Sequence, residues 1–169
     1  DSRELDLQVY PMESREELRQ ALTQACACWG ARKVLAFVPS RAEAEDLAAW
    51  LRGQPPFGAS VHVHHGSLSR QERERVEQAL LRAPVALCLA TPTLEVGIDV
   101  GDVDLVVLVG PPPDVTSFLQ RIGRGNRQDY QYRVAALLPF RRMVGLQINI
   151  RPRGLFPIGV EHNRHTRLL

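Results

Sequence analysis

Three stretches of the chain repeat apolar positions at helical spacing, and each opens on the same polar device. Leu18, Leu22, Ala25 and Trp29 form one set, Ala44, Leu47, Ala48 and Leu51 a second, and Val76, Ala79 and Leu80 a third. Ahead of them stand Ser14-Arg-Glu-Glu17, Ser40-Arg-Ala-Glu43 and Ser69-Arg-Gln-Glu72, each a capping box with Ser at the N-cap and Glu at N3. The pattern predicts three amphipathic helices. A fourth is expected from about Asp114, turning Val115, Phe118, Leu119 and Ile122 inward.

Short apolar runs of strand length lie between the helices. Val34 to Val38, Val85 to Ala90 and Leu105 to Val109 are nearly continuous, as strands covered on both faces should be. Leu5 to Tyr10, Val61 to His64 and Arg133 to Leu138 are mixed or alternating and fit less central strands. Strands and helices in this rhythm predict a three-layer α/β domain around a mainly parallel sheet, whose ligands bind at the carboxyl ends of the strands. Residues 1–140 are read as that domain. Residues 141–169 have no clear period and carry Arg141, Arg142, Arg151, Arg153, Arg164 and Arg167 with two prolines, so they are read as a C-terminal extension of undefined structure.

Composition narrows the class. With 169 residues and 44% apolar content, one domain with a real core is expected. No stretch approaches the roughly 18 consecutive apolar residues of a membrane span, and no secretory signal opens the chain. The start at Asp1 rather than Met reads as a fragment or a processed product. Cys26, Cys28 and Cys88 match neither a disulfide framework nor a zinc spacing, and are read as reduced thiols of a cytoplasmic protein, with Cys88 in a buried strand. The net charge of +2 argues for no partner by itself. Only Lys33 among the 21 basic residues is a lysine, but a GC-rich genome produces the same bias as a need for bidentate phosphate contacts.

Candidate chemistry concentrates late in the chain. In Gln120-Arg-Ile-Gly-Arg-Gly-Asn-Arg127, arginines at 121, 124 and 127 recur every three residues and present one charged edge, with glycines allowing tight backbone between them. Three guanidinium groups on one edge repel, and a phosphate ligand resolves the conflict; alone, the motif would read as a solvated basic helix end. Upstream, Ala90-Thr-Pro-Thr-Leu-Glu-Val-Gly-Ile-Asp99 follows a buried strand. It places a hydroxyl, Thr91, suited to a phosphate oxygen, and a carboxylate, Asp99, suited to a ribose hydroxyl, in one loop.

Taken in order, Val34 to Arg41, His65-Gly-Ser-Leu-Ser69, Thr91 to Asp99 and Gln120 to Arg127 resemble motifs IV, IVa, V and VI of superfamily 2 helicases. These motifs occupy the second, C-terminal RecA-like domain of that superfamily, and the likeness covers about residues 30–138. Thr93-Leu-Glu-Val-Gly-Ile-Asp-Val-Gly-Asp-Val-Asp104 most resembles the large helicase-related (Lhr) group of DExH proteins. The resemblance implies an ATP-dependent DNA or RNA helicase or translocase. Arg124 and Arg127 match arginine fingers that reach the γ-phosphate, and Gln120 matches the residue that orders the attacking water. Arg121 matches the inner arginine of motif VI, tied more to domain contacts than to chemistry. Gly97 and Asp99 match positions near the nucleotide ribose. Thr91, Ser40, Arg41, Gly66 and Ser67 match positions on the nucleic-acid backbone. One departure stands out: motif VI ends in Gly125-Asn-Arg127 where families carry Ala-Gly-Arg or Thr-Gly-Arg. Asn tolerates left-handed backbone angles, so the turn can survive.

The sequence contains no G-x-x-x-x-G-K-[ST] loop and no Asp-Glu-x-Asp/His box, and Glu45-Asp46 falls in the middle of a predicted helix on an exposed face. The chain alone is therefore expected not to hydrolyse ATP. ATP with Mg2+ would be held mainly by an N-terminal RecA-like domain of the same protein. Two other readings are a non-catalytic docking module, against which the Arg124/Arg127 pair speaks, and the motor part of a restriction or CRISPR-type nuclease, whose carboxylate-and-lysine chemistry is not visible. The cluster His62, His64 and His65 lacks a further ligand at zinc spacing and reads as a polar strand face. Trp29 and Trp50 read as packing anchors, and the arginines of the third helix, which alternate with glutamates, as a solvated face.

Overall fold

The computed structural model describes residues 4–92, 103–110, 117, 120–121 and 131–139, the strand residues 4–9, 11 and 131–139 by their backbone. The elements run β1 (Glu4–Met12), α1 (Arg15–Trp29), β2 (Lys33–Phe37), α2 (Arg41–Leu51), β3 (Val61–His64), α3 (Arg70–Arg82), β4 (Ala86–Ala90), β5 (Leu105–Val109) and β6 (Gln131–Pro139). All six strands join one sheet in the order β1-β6-β5-β2-β4-β3, and every pairing is parallel. The parallel α/β architecture expected from the sequence is therefore present, and its strands match the predicted runs within two residues at each end. Phe118, Leu119 and the rest of the predicted fourth helix lie outside the described residues, although Ser117, Gln120 and Arg121 are helical. The C-terminal extension also lies outside them.

The helix starts obey the polar signals unequally. Ser69 closes a full capping box: its hydroxyl accepts from the Glu72 N–H at 3.2 Å, and its own N–H donates to the Glu72 carboxylate at 2.8 Å. Those bonds with Ser69 hold the Glu72 carboxyl below its ordinary range. Ser14 and Ser40 each accept from the third residue of their helix, but Glu17 turns back to the N–H of Glu13 instead, and Glu43 makes no return bond.

Two faces of the sheet are buried by different helices. On one, Leu18, Ala21, Leu22, Ala25 and Cys26 of α1 and Ala44, Leu47, Ala48 and Leu51 of α2 pack on Val34, Ala36, Leu87, Leu89, Val61, Val63, Leu105 and Val107. Trp29 and Trp50 pack against the same cluster, as expected of anchors. Alternate strand residues, Leu35, Phe37, Cys88, Val106 and Leu108, point to the opposite face and are equally buried. There α3 contributes only Leu80 as a buried residue; Val76 and Ala79 are half-buried. The change of face follows from the strand order. Chain progress from β2 to β3 runs one way across the sheet and from β3 to β4 the other, so crossovers of one hand must use opposite faces.

Asp104 fastens the amino edge. Its carboxylate accepts from the N–H groups of Arg32 and Lys33, both at 2.9 Å, which ties the start of β5 to the start of β2. The three thiols differ sharply. Burial pushes both Cys26 and Cys88 up to about 12, helped by the nearby carboxylates of Asp104 and Glu77 respectively, whereas Cys28 is exposed. At pH 8 the buried pair stays protonated and shielded. Iodoacetamide should therefore modify Cys28 alone in the folded chain, and all three in denaturant; modification of Cys88 at the rate of Cys28 would contradict this packing.

Candidate functional site

The carboxyl edge of the sheet gathers most of the residues singled out from the sequence. Because β2, β4 and β3 are consecutive in the sheet, the segments that follow them emerge side by side. After β2, Val38 donates its N–H to Ala90 O at 2.9 Å, and Ser40 then caps α2. The Ser40 hydroxyl accepts from the Glu43 N–H at 3.2 Å, which leaves its own proton available to an oxyanion. Arg41 is the first residue of α2 and is exposed. A positive helix N-terminus, a hydroxyl and a guanidinium thus share one corner, a combination that favours phosphate.

After β3, Gly66 and Ser67 form an exposed turn before α3. The Leu68 N–H donates to His65 O at 3.1 Å, and the Ser67 N–H donates to His65 Nδ1 at 3.3 Å. After β4, Thr91 donates its N–H to His64 O at 3.3 Å, so the Thr91 segment is hydrogen-bonded to the end of β3. Thr91 is itself buried. Ser40, Arg41, Gly66, Ser67 and Thr91 are thus brought to one edge.

Gln120 and Arg121 diverge. Gln120 is exposed, while Arg121 is 5% exposed and its guanidinium lies over the Phe37 ring, 5.5 Å from the centroid. An arginine so placed is held by the ring's negative face in a desolvated setting. Arg121 therefore faces inward onto β2 rather than lying on an exposed charged edge. Close packing continues at the strand ends, where Gly110 adopts φ +89° and a Cβ there would lie 3.4 Å from Pro39 Cγ. Arg124, Arg127, Gly97 and Asp99 lie outside the described residues.

The histidines, read from the sequence as a polar strand face, are largely covered by helices. His64 and His65 are 2% and 4% exposed, and each meets a carboxylate: His64 Nε2 lies 3.0 Å from Glu77 Oε1 of α3, and His65 Nε2 lies 2.8 Å from Glu45 Oε1 of α2. His64 ends β3 and His65 follows it, and the two rings reach different helices, α3 and α2. Burial, with Arg52 nearby, holds His62 below its ordinary value. No group of three or more His, Cys, Asp or Glu side chains among the described residues is arranged to hold a metal ion. No helix among them is long and apolar enough to cross a membrane. Phe37, Glu45 and Glu77 are the partners that sequence reasoning missed.

Comparison with known proteins bears on what this edge does. Residues 17–129 match the family described as the helicase conserved C-terminal domain. The chain is 36% identical over 112 residues to the ATP-dependent helicase Lhr-Core of Methanocaldococcus jannaschii, an alignment that covers 66% of this chain and 13% of that protein. Among solved structures, helicase Lhr of Mycobacterium smegmatis bound to ssDNA and AMP-PNP superposes with a TM-score of 0.64 at 29% identity, over 82% of this chain and 19% of that one. The Escherichia coli DEAD-box protein SrmB gives a TM-score of 0.68 at 23% identity, over 82% of this chain and 79% of that one, and shows the same fold.

Proposed function

The chain belongs to the helicase conserved C-terminal domain family, in the RecA-like fold of Lhr and other superfamily 2 helicases, and on that premise we propose that it is the second motor domain of an ATP-dependent nucleic-acid helicase or translocase. The observation that carries this reading is the convergence of Ser40, Arg41, Gly66, Ser67 and Thr91 on one carboxyl edge, produced by the adjacency of β2, β4 and β3. Relatives named ATP-dependent helicases, and the Lhr structure solved with ssDNA and AMP-PNP, support it. The chain spans only 13% and 16% of two Lhr-Core relatives, which leaves ample room in such proteins for a first motor domain.

In this mechanism the substrate ATP, with Mg2+, is held by the P-loop lysine and acidic box of that first domain, neither of which this sequence contains. Arg124 and Arg127 reach the γ-phosphate across the cleft, and Gln120 orders the attacking water. Gly97 and Asp99 lie against the ribose. Burial of Arg121 on Phe37 gives the segment that bears the fingers a fixed footing on β2. Closure presents Ser40, Arg41, Gly66, Ser67 and Thr91 to successive backbone phosphates of a DNA or RNA strand, contacts that position without reading sequence. Opening after hydrolysis lets them release and regrip.

The experiment replaces Arg41 with Ala in the intact two-domain protein and follows binding of a single-stranded oligonucleotide as salt is raised. Loss of one phosphate contact should flatten the slope of log K against log salt by about 0.7. An unchanged slope with unchanged affinity would remove Arg41 from the grip.

A further inference from the structure

We propose that Glu45, the His65 imidazole and the Ser67 backbone form a clamp that holds the two backbone-gripping loops in fixed register, with Glu45 and His65 as positioning residues. This rests on the motor reading above and deepens it. His65 is 4% exposed, and both of its ring nitrogens are engaged. The Ser67 N–H donates to Nδ1 at 3.3 Å, so Nδ1 is the unprotonated nitrogen; Nε2 carries the proton and donates to Glu45 Oε1 at 2.8 Å. Glu45 is one helical turn beyond Arg41, on the same side of α2. A single buried ring therefore joins the helix that presents Ser40 and Arg41 to the turn that presents Gly66 and Ser67.

The neighbouring residue extends the arrangement. His64 turns to the other face and meets Glu77 of α3 at 3.0 Å, while its carbonyl accepts from the Thr91 N–H at 3.3 Å. The end of β3 is thus tied to α2, to α3 and to the Thr91 segment at once. Three gripping elements that follow three different strands acquire one common support. A half-exposed ion pair would add little through charge alone; the clamp acts through hydrogen-bond geometry, and that difference can be tested.

The measurement is the concentration of single-stranded oligonucleotide that gives half-maximal ATPase stimulation in the intact two-domain protein. Glu45→Ala and His65→Asn should each raise it about five- to tenfold, with turnover at saturation held within about twofold and the KM for ATP unmoved. Glu45→Gln, whose amide oxygen still accepts from Nε2–H, should restore the wild-type value. Should His65→Asn fail to fold, the half-exposed Glu45 carries the test alone. An unchanged or lowered half-maximal concentration in Glu45→Ala overturns the clamp, the lowered value showing that Glu45 merely repels phosphate. Equal behaviour of Glu45→Gln and Glu45→Ala overturns it too, because charge would then be the cause. A wild-type protein that no oligonucleotide stimulates brings down the motor reading together with the clamp. Nitrogen-15 NMR of the His65 ring supplies a readout apart from activity: the proton is expected on Nε2, and a proton on Nδ1 contradicts the geometry.

Discussion

Arg127→Ala, made in the intact two-domain protein, is expected to lower ATP turnover about 10³-fold while ATP still binds. The expectation rests on motif order and on chemistry. The sequence supplies no P-loop lysine and no acidic box, and the role proposed for Arg124 and Arg127 is to stabilise charge that develops at the γ-phosphate. A guanidinium suits that task, being planar, permanently charged and able to engage two phosphate oxygens. Arg124→Ala should have a comparable effect. The double variant should fall little further than either single one, because groups that stabilise one transition state as a unit are not additive. Asn126, where families carry Gly, gives a second handle: Asn126→Gly should retain turnover, since Asn and Gly both accept left-handed backbone angles.

Phe37→Ala should be the most damaging substitution in the described core, at about 3–5 kcal/mol. That is a large part of the roughly 5–15 kcal/mol that keeps a domain folded. The ring is 1% exposed at the end of β2, the strand between β4 and β5, and it also carries Arg121 at 5.5 Å. Removing it opens a cavity and leaves a buried cation without its platform, two costs that act together. Chemical denaturation of the isolated chain measures the sum. A double-mutant cycle of Phe37→Leu with Arg121→Met isolates the ring–cation part, expected at about 1–2 kcal/mol. Strict additivity would show that Arg121 is held by other groups.

The fold was largely legible because its signals are local. The inward set of α2 read from the sequence, Ala44, Leu47, Ala48 and Leu51, is the set the structure buries, and the run at Leu105–Val109 is a strand with those same ends. Capping was less legible, since whether a Glu at N3 turns back depends on competing donors: Glu17 found Glu13 first. The candidate grip residues come from motif order, and their meeting at one edge follows from a strand order that period and propensity do not encode. Most opaque were the side-chain partners of the site. Glu45 looked like a solvated helix residue because its side chain is indeed half-exposed, and only packing of α2 over the end of β3 reveals the histidine beneath it. Motif order set Arg121 apart as the inner arginine, but nothing in the sequence named Phe37 as the ring beneath it.

If this domain completes an ATP site that it does not itself contain, steady-state ATP turnover of the intact protein will register it. Wild type and the Arg124→Ala/Arg127→Ala variant would be compared without polymer, with single-stranded DNA and with single-stranded RNA. One or both polymers should stimulate the wild type, and the variant should lose about 10³-fold in turnover while still binding ATP. Wild-type turnover left intact by the double substitution would contradict it, and would make this a docking domain rather than half of a motor.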